Sequence, residues 1–545
     1  MSDMDQQGIP APEGAAQLYD TDYEIGQDNI ETKIGPFGLD IHNPVFLVSG
    51  LSIVAFTFIT LIFQDQAGPI LGDIRVWLTS TFDWFFLSAS NIFVLFCLAL
   101  IVLPVGSVRL GGKEATPDYS YFGWFAMLFA AGMGIGLMFF GVLEPVYHMA
   151  ISEPLGVPSP FDEDGNLIEE NLAAAQAMGL AATIYHWALH PWAIYAVVAL
   201  ALALFSFNKG LPLTMRSMFY PLLGDRVWGW PGHVIDILAV FSTLFGLAAS
   251  LGYGAQQTNA GLEYIFGVPN SINVQVLLII GITAVALISV LRGLDGGVKV
   301  LSEVNMVMAG LLLLFVILAG PTLAILTGFF SNIANYAMEV VPLSNPLGRE
   351  DDSYRQGWTA FYWAWWISWS PFVGMFIARV SRGRTVREFV ICVLIIPSTV
   401  CVLWMTAFGG VAIDQVVSNP ESSGVKQYVI DSYQPELSLF GMLSDLPLSS
   451  ITSIIAIVLV VVFFVTSSDS GSLVIDTITA GGKTDAPTTQ RVFWCTFEGL
   501  VAIALLLGGG LGALQAATVS TGFPFTIVLL LGCIAIWKGL VSEPR

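Results

Sequence analysis

Apolar residues fall in long runs separated by short polar segments. A run of about 20 or more is long enough to cross a bilayer as a helix. Twelve such runs stand out, at about 44–64, 84–106, 120–150, 172–208, 232–266, 272–293, 304–330, 357–380, 386–412, 447–477, 489–509 and 511–540. Several exceed the bilayer thickness, so they tilt, bend or project. The segment Asn332–Val341 has a different pattern. Ile333, Ala337, Met338 and Val341 form an apolar stripe beside Asn332, Asn335 and Glu339. It predicts an amphipathic helix lying on the outer surface, which divides the last ten runs into two sets of five.

Each set opens on a run whose helix is expected to break. The third run contains Ala130-Ala131-Gly132-Met133-Gly134-Ile135-Gly136, with glycine at every second position. Alternating glycines weaken a helix interior, although small residues also serve close helix packing. The eighth run contains Gly357–Phe372, which holds five of the fifteen tryptophans and ends on Ser370-Pro371. Proline removes a backbone donor and predicts an interruption. Tryptophans spread over several sides of one helix cannot all serve as an interfacial belt. Interruptions at matching places in two halves point to a binding site at the centre of an inverted-repeat transporter. The predicted class is an all-α integral membrane protein of twelve transmembrane helices. Its parts are an acidic disordered tail over 1–43, two peripheral helices over 44–106 and a five-helix repeat over 120–330. An outer helix and loop over 331–356, a second five-helix repeat over 357–540 and a short tail over 541–545 follow.

Composition agrees with this class. The chain is 55% hydrophobic and 11% charged, against about 25% charged in a soluble domain. No basic segment followed by a short apolar stretch precedes the first run, so no cleavable signal is expected. A net charge of −21 excludes nucleic acid as a partner. The five cysteines all fall in apolar runs, without metal-site or disulfide spacing. With the N-terminus inside, only Arg75, Arg349, Arg355 and Lys426 of the 20 Lys and Arg fall outside, leaving sixteen inside. That bias puts both termini in the cytoplasm, with an even number of spans. The outer segments 151–171 and 413–446 are acidic, carry Pro and Gly, and are expected to be solvated loops.

Three stretches carry candidate chemistry. The fourth run holds His186-Trp187-Ala188-Leu189-His190-Pro191-Trp192-Ala193-Ile194-Tyr195. Two histidines four residues apart could share a metal, but without a third ligand in view they are expected to hydrogen-bond neighbouring helices. Around Pro191, Trp187, Trp192 and Tyr195 can turn toward one cavity. Together with a tryptophan of the eighth run they would form a four-sided aromatic box for a quaternary ammonium or sulfonium head, each ring worth about 0.5–2 kcal/mol. The tenth run ends Phe463-Phe464-Val465-Thr466-Ser467-Ser468-Asp469-Ser470-Gly471-Ser472. Its hydroxyls could ligate Na⁺ with carbonyls freed in the third run, or simply bond back to their own helix. Asp469 is an intramembrane acid, functional by default, or a helix cap near the inner end. No Gly-x-Ser-x-Gly turn is present to support a serine hydrolase.

Together these stretches, with Arg379-Val380-Ser381-Arg382-Gly383-Arg384, resemble the betaine/choline/carnitine transporter family over about residues 40–540. The resemblance implies two extra helices followed by five plus five in inverted repeat, usually as a homotrimer in the bacterial inner membrane. It implies an aromatic box of Trp187, Trp192, Tyr195 and Trp366, with Trp369 as a further substrate contact. Met133, Gly134 and Gly136 are expected to touch the substrate at the break in the third run. A sodium site is implied at the carbonyls of Ala130, Met133 and Phe463 and the hydroxyls of Thr466 and Ser467. A second sodium site would fall at Thr243 and Phe372. Similar sodium-coupled members carry a further threonine where this chain has Leu247, so one oxygen is missing there. Osmosensing members carry a long basic C-terminal tail. This sequence stops at Arg545 just past the last run, and no such tail is expected.

Two function classes follow. One is a sodium-coupled importer of a zwitterionic onium solute such as glycine betaine or dimethylsulfoniopropionate. The other is a membrane enzyme or sensor that uses the cage only to bind, and no nucleophile–base set supports it. Among transporters the rivals are proton-coupled choline uptake and sodium-independent carnitine or betaine exchange. Choline-type members resemble this chain but carry Asp in place of Gly136. An acid there pairs with a substrate that lacks its own carboxylate, whereas glycine suits one that brings it. The coupling cofactor expected is Na⁺, and no organic cofactor is expected.

Overall fold

The computed structural model describes residues 9–292 and 299–544. Among these, nine helices are long and apolar enough to cross a membrane. The count is ten when the bent pair Tyr121–Gly132 and Ile135–Ala150 is taken as one span. The only sheet among the described residues is a hairpin, Asn29–Ile34 with Phe37–His42. Large apolar side chains such as Leu51, Phe58, Leu277, Leu291, Leu311 and Leu318 remain exposed along the outer helices. That distribution suits a lipid solvent, which removes no surface from water when helices meet.

Where the chain bends follows from which backbone groups lose their partners. The third run breaks as expected. Met133 and Gly134 are extended, and the two half-helices meet at 64°. The expected break at Pro371 does not occur, and Ala360–Val380 is one continuous helix. Pro371 cannot donate to the Ile367 carbonyl, but the Ser370 hydroxyl does so at 2.6 Å, which removes the reason to break. The interruption in the aromatic region lies in the fourth run instead. Ala188 (φ −102°, ψ −113°) separates Glu169–Trp187 from Leu189–Ala203. Near the C-terminus, Thr488–Val541 bends at Gly509 and Gly510, the boundary expected between two runs. Gly510 has φ +65°, a conformation glycine adopts without strain.

Three further expectations are corrected. The surface helix begins ten residues early, spanning Thr322–Ser344, and the helix before it, Lys299–Ala319, ends at Gly320-Pro321. The stripe of Ile333, Met338 and Val341 faces outward, while Asn332 is buried and donates to Thr406 Oγ1 at 3.0 Å. A polar anchor therefore fixes this helix, and its apolar side is left to lipid. The segment 413–446 is not simply solvated, since Ser438–Leu443 is buried within a short helix.

The acidic tail is the third correction. Its first eight residues lie outside the described ones, but from Ile9 onward the tail is folded against the face that also carries the C-terminus. Tyr23 stacks on Trp228 at 4.1 Å, and Tyr19 packs on Tyr220 at 4.9 Å. Glu13 pairs with Arg382 at 2.5 Å, while Glu31 and Asp40 pair with Lys483 at 2.9 and 2.7 Å. Acidic composition alone reads as disorder, but here the acids meet the basic residues of the inner loops. Asp469, read from sequence as a functional acid or a helix cap, lies well inside the helix Ser449–Thr479 and caps neither end. It accepts from Ser289 at 2.6 Å and Arg491 at 3.0 Å, tying three helices together. Deleting residues 1–28 removes the Glu13, Tyr19 and Tyr23 contacts. It is expected to lower the melting temperature of the detergent-solubilised protein by about 3 °C or more. An unchanged thermal transition would mean that the tail does not hold this face together.

Candidate substrate site

A small cavity of about 50 Å³ lies between the two broken runs and the tryptophan-rich helix. Trp187, Trp192, Tyr195, Trp366, Trp369, Met133, Gly134 and Gly136 all line it. The sequence singled out each of them, from two stretches more than 150 residues apart and the glycine segment. The rings form walls rather than one stack. Trp187 meets Trp366 edge-on at 4.9 Å, Trp192 meets Tyr195 at 5.1 Å, and Tyr195 meets Trp366 at 6.4 Å, all near perpendicular. Trp365 lies flat behind Trp366 at 4.8 Å.

The break at Ala188 builds these walls. Pro191 has no N–H to give the Trp187 carbonyl, and Trp192 Nε1 donates to it at 3.2 Å. Trp366 Nε1 donates to the His186 carbonyl at 2.9 Å. Trp369 Nε1 and Trp365 Nε1 both donate to the Gly246 carbonyl, at 3.0 and 3.3 Å. Inside a membrane a freed carbonyl must find a donor; Trp192 and Trp366 supply it beside the break, while Trp365 and Trp369 anchor on a carbonyl inside the unbroken helix Trp230–Phe266. The ring faces are left to the cavity with their N–H groups already used. Such a lining attracts a cation that neither donates nor accepts a hydrogen bond.

Gly136 is required by contact. A Cβ there would sit 2.6 Å from Trp187 Cη2, closer than real Cβ atoms approach. The Ile135–Ala150 half-helix starts beside it, and its first internal bond is Met138 N to the Gly134 carbonyl. The amides of Ile135, Gly136 and Leu137 are therefore without helical partners, as at any helix start. Free amides at a helix start are a setting that favours an anion.

The residues implied for sodium are all neutral oxygens. Thr466 Oγ1 bonds back to the Val462 and Phe463 carbonyls at 3.0 and 3.3 Å, and Ser467 is buried beside it. Back-bonding uses the hydroxyl proton and leaves oxygen lone pairs free. Ala130 O accepts only the short-range bond from Met133 N, at 3.2 Å, at the end of the broken half-helix. The donor set fits a hard monovalent cation. The hydroxyl of the second set is engaged in the same back-bonding. Thr243 donates to Ala239 O at 2.7 Å, and Phe372 packs edge-on against Trp369 at 5.2 Å. Leu247 lies against Gly471, where a built Cβ would meet its Cδ1 at 2.2 Å.

Sequence reasoning missed Trp365, Ser250 and Cys401, which also line the cavity. It also missed Glu144. This acid is fully buried in the Ile135–Ala150 half-helix, and an ionisable residue within a span was itself the signal. Glu144 Oε2 accepts from Trp187 Nε1 at 2.8 Å and from the Tyr362 hydroxyl at 2.7 Å. Its Oε1 bonds His186 Nδ1 and lies 3.3 Å from His148 Nε2. His186 Nε2 is 2.9 Å from Thr359 Oγ1, and His190 turns away to Asn91 at 3.0 Å. The two histidines therefore bond different helices and share no ligand. Donor atoms of Glu144, His148 and His186 lie within 4.8 Å of one another, and each histidine is in hydrogen-bond contact with the Glu144 carboxylate.

Two substitutions test the cage. Trp366→Ala removes one wall and is expected to weaken binding of an onium ligand by about 1–2 kcal/mol, with Trp366→Phe milder. Gly136→Ala drives the Trp187 ring out of place and is expected to weaken the same binding about tenfold or more. Titration of purified, folded variants with glycine betaine by tryptophan fluorescence reads both. Unchanged affinity removes the corresponding residue from the site.

The sequence profile of the betaine/carnitine/choline transporter family matches residues 44–545. A glycine betaine/proline/choline transporter of Vibrio parahaemolyticus is 63% identical over 550 residues, covering 100% of this chain and 98% of its own length. A glycine betaine transporter of the same organism is 54% identical, over 96% of this chain and 97% of its own. The glycine betaine transporter of Bacillus subtilis is 43% identical, over 89% and 92%. The chain therefore belongs to the betaine/carnitine/choline transporter family, and is a transporter rather than an enzyme.

Proposed function

We propose that this protein couples Na⁺ entry to uptake of zwitterionic onium solutes, of the glycine betaine or dimethylsulfoniopropionate type. One observation carries the reading. A cavity walled by Trp187, Trp192, Tyr195 and Trp366 opens onto a helix start where Gly136 and Leu137, ahead of the first helical bond, line it. The walls suit the onium head and the amides suit a carboxylate. All three relatives are named as transporters of glycine betaine, which supports the same substrate here. The name of the 63% identical relative adds choline and proline. Choline is therefore the second reading for this site, although Gly136 offers it no acid.

The proposed architecture is twelve spans, as two plus five plus five in inverted repeat. The kinked Thr488–Val541 helix then counts as two spans and the tryptophan-rich Ala360–Val380 as one. The proposed setting is the bacterial inner membrane with both termini cytoplasmic, supported by the bias of basic residues. Assembly as a homotrimer rests on the family resemblance.

Coupling is assigned to Thr466 and Ser467 with the carbonyls of Ala130, Met133 and Phe463. Bound there, Na⁺ supplies fixed positive charge that holds the end of the broken third run against the tenth. One ion moving down a tenfold gradient supplies about 1.4 kcal/mol. A potential of 100 mV adds about 2.3 kcal/mol. The sum, about 3.7 kcal/mol, supports roughly 500-fold accumulation of a zwitterion. Leu247 argues against a firm second ion at Thr243 and Phe372. Radiolabelled betaine uptake into proteoliposomes, with Na⁺ and proton gradients imposed separately, is the test. Wild type is expected to follow Na⁺, and Thr466→Ala combined with Ser467→Ala is expected to abolish that stimulation. Uptake that follows protons and ignores Na⁺, or exchange without either gradient, would overturn the coupling.

A further inference from the structure

The carboxylate of Glu144 does not line the cavity, yet it is bonded to one of its walls. We infer that Glu144 is a positioning residue that sets the site's preference for cations, acting through the Trp187 indole. The inference rests on the onium-binding reading and deepens it.

Four groups converge on this acid, and each can donate to it. The Trp187 indole and the Tyr362 hydroxyl reach Oε2, while His186 and His148 face Oε1. The Trp187 N–H can only donate, and with the Tyr362 O–H donating to the same oxygen the network is satisfied by a carboxylate without a proton on Oε2. His186 is satisfied as a neutral ring, giving its Nδ1 proton to Glu144 and taking the Thr359 hydroxyl at Nε2. This tautomer is assigned from the network. Among the described residues no lysine or arginine lies within ion-pair distance of Glu144, whose only such partners are the two histidines. A buried anion is tolerated without a countercharge when hydrogen bonds satisfy it. It then leaves its field in a low-dielectric surrounding, where that field is strong.

The indole transmits that field to the cavity. Its N–H points at the carboxylate while its far edge, Cη2, reaches Gly136 at the cavity wall. A charge-assisted bond at Nε1 pushes electron density onto the ring, and a richer ring face holds a cation more strongly. The same bond fixes the ring's tilt. Glu144 also holds Tyr362, which stacks on Trp366 at 5.6 Å, so a second wall is braced from the same carboxylate. A site built this way has an anion behind its cation cage without an acid in contact with the substrate. A zwitterion's carboxylate therefore meets amides at one end and is not repelled by a facing carboxylate at the other.

The experiment separates charge from shape. Glycine betaine and 3,3-dimethylbutanoate share a shape, but the latter has carbon in place of the quaternary nitrogen. Glu144→Gln is expected to weaken betaine binding about tenfold and to change dimethylbutanoate binding less than threefold. Transport should show the loss in KM more than in kcat. Equal weakening of both ligands would reduce Glu144 to a structural role, and no weakening of either would remove it from the site. Glu144→Asp keeps the charge but draws it back, and is expected to show a smaller loss of the same kind. It serves if Glu144→Gln does not fold. An independent readout needs no ligand. The ultraviolet resonance Raman difference between wild type and Trp187→Phe is expected to show one strongly hydrogen-bonded indole N–H. A weakly bonded N–H there would overturn the inference. If wild type binds neither ligand, the onium reading itself fails, and the Raman result still decides the Glu144–Trp187 bond.

Discussion

A backbone carbonyl that loses its helical partner inside a membrane must find another donor, and this structure depends on how it does so. Two prolines make the point by contrast. At Pro371 a neighbouring serine hydroxyl caps the freed carbonyl of Ile367, and the helix runs on. At Pro191 the helix turns at Ala188, and the carbonyls beside the break are taken by Trp192 and Trp366. The cost of leaving a polar group unpaired in hydrocarbon is several kcal/mol. The tryptophans are thereby held firmly by their N–H groups, and their faces are presented to the cavity. The same requirement makes both the break and the cage.

The second break serves the other end of a substrate. Met133 and Gly134 interrupt the third run, and the new helix start brings unpaired amides to the cavity. Gly136 lets Trp187 lie against that start with no side chain between them. The two broken runs interlock through this contact and through Glu144, which stands on the third run and bonds Trp187 at the end of the first half of the fourth. Aromatic wall, helix end and buried acid form one unit, so a change at any of them is felt by the others.

Charge follows a similar economy. Acidic residues of the tail meet basic residues of the loops on the same face, as Glu13 with Arg382 and Asp40 with Lys483 show. On the opposite face Arg355 pairs with Asp83 at 2.6 Å. Within the spans, Asp469 is met by Arg491. Glu144 is bonded by aromatic groups and histidines, among them Trp187, a wall of the candidate site.

The sequence by itself determined the class, most of the spans and half of the cavity lining. Run length fixes which segments can span. Tryptophans on all sides of one helix must in part face inward, and alternating glycines mark a weak helix. These are properties of residues in order. The tertiary structure alone decided what depends on a partner from elsewhere in the chain. The break at Ala188 is held by Trp366, whose indole reaches the His186 carbonyl from 180 residues away. The tail folds because its acids find Arg382 and Lys483 hundreds of residues away. The stripe of Ile333, Met338 and Val341 faces outward because Asn332 finds Thr406. Glu144 was visible as an acid in a span, but its bond to Trp187 crosses 43 residues, and local sequence carries no record of a contact made across such a distance.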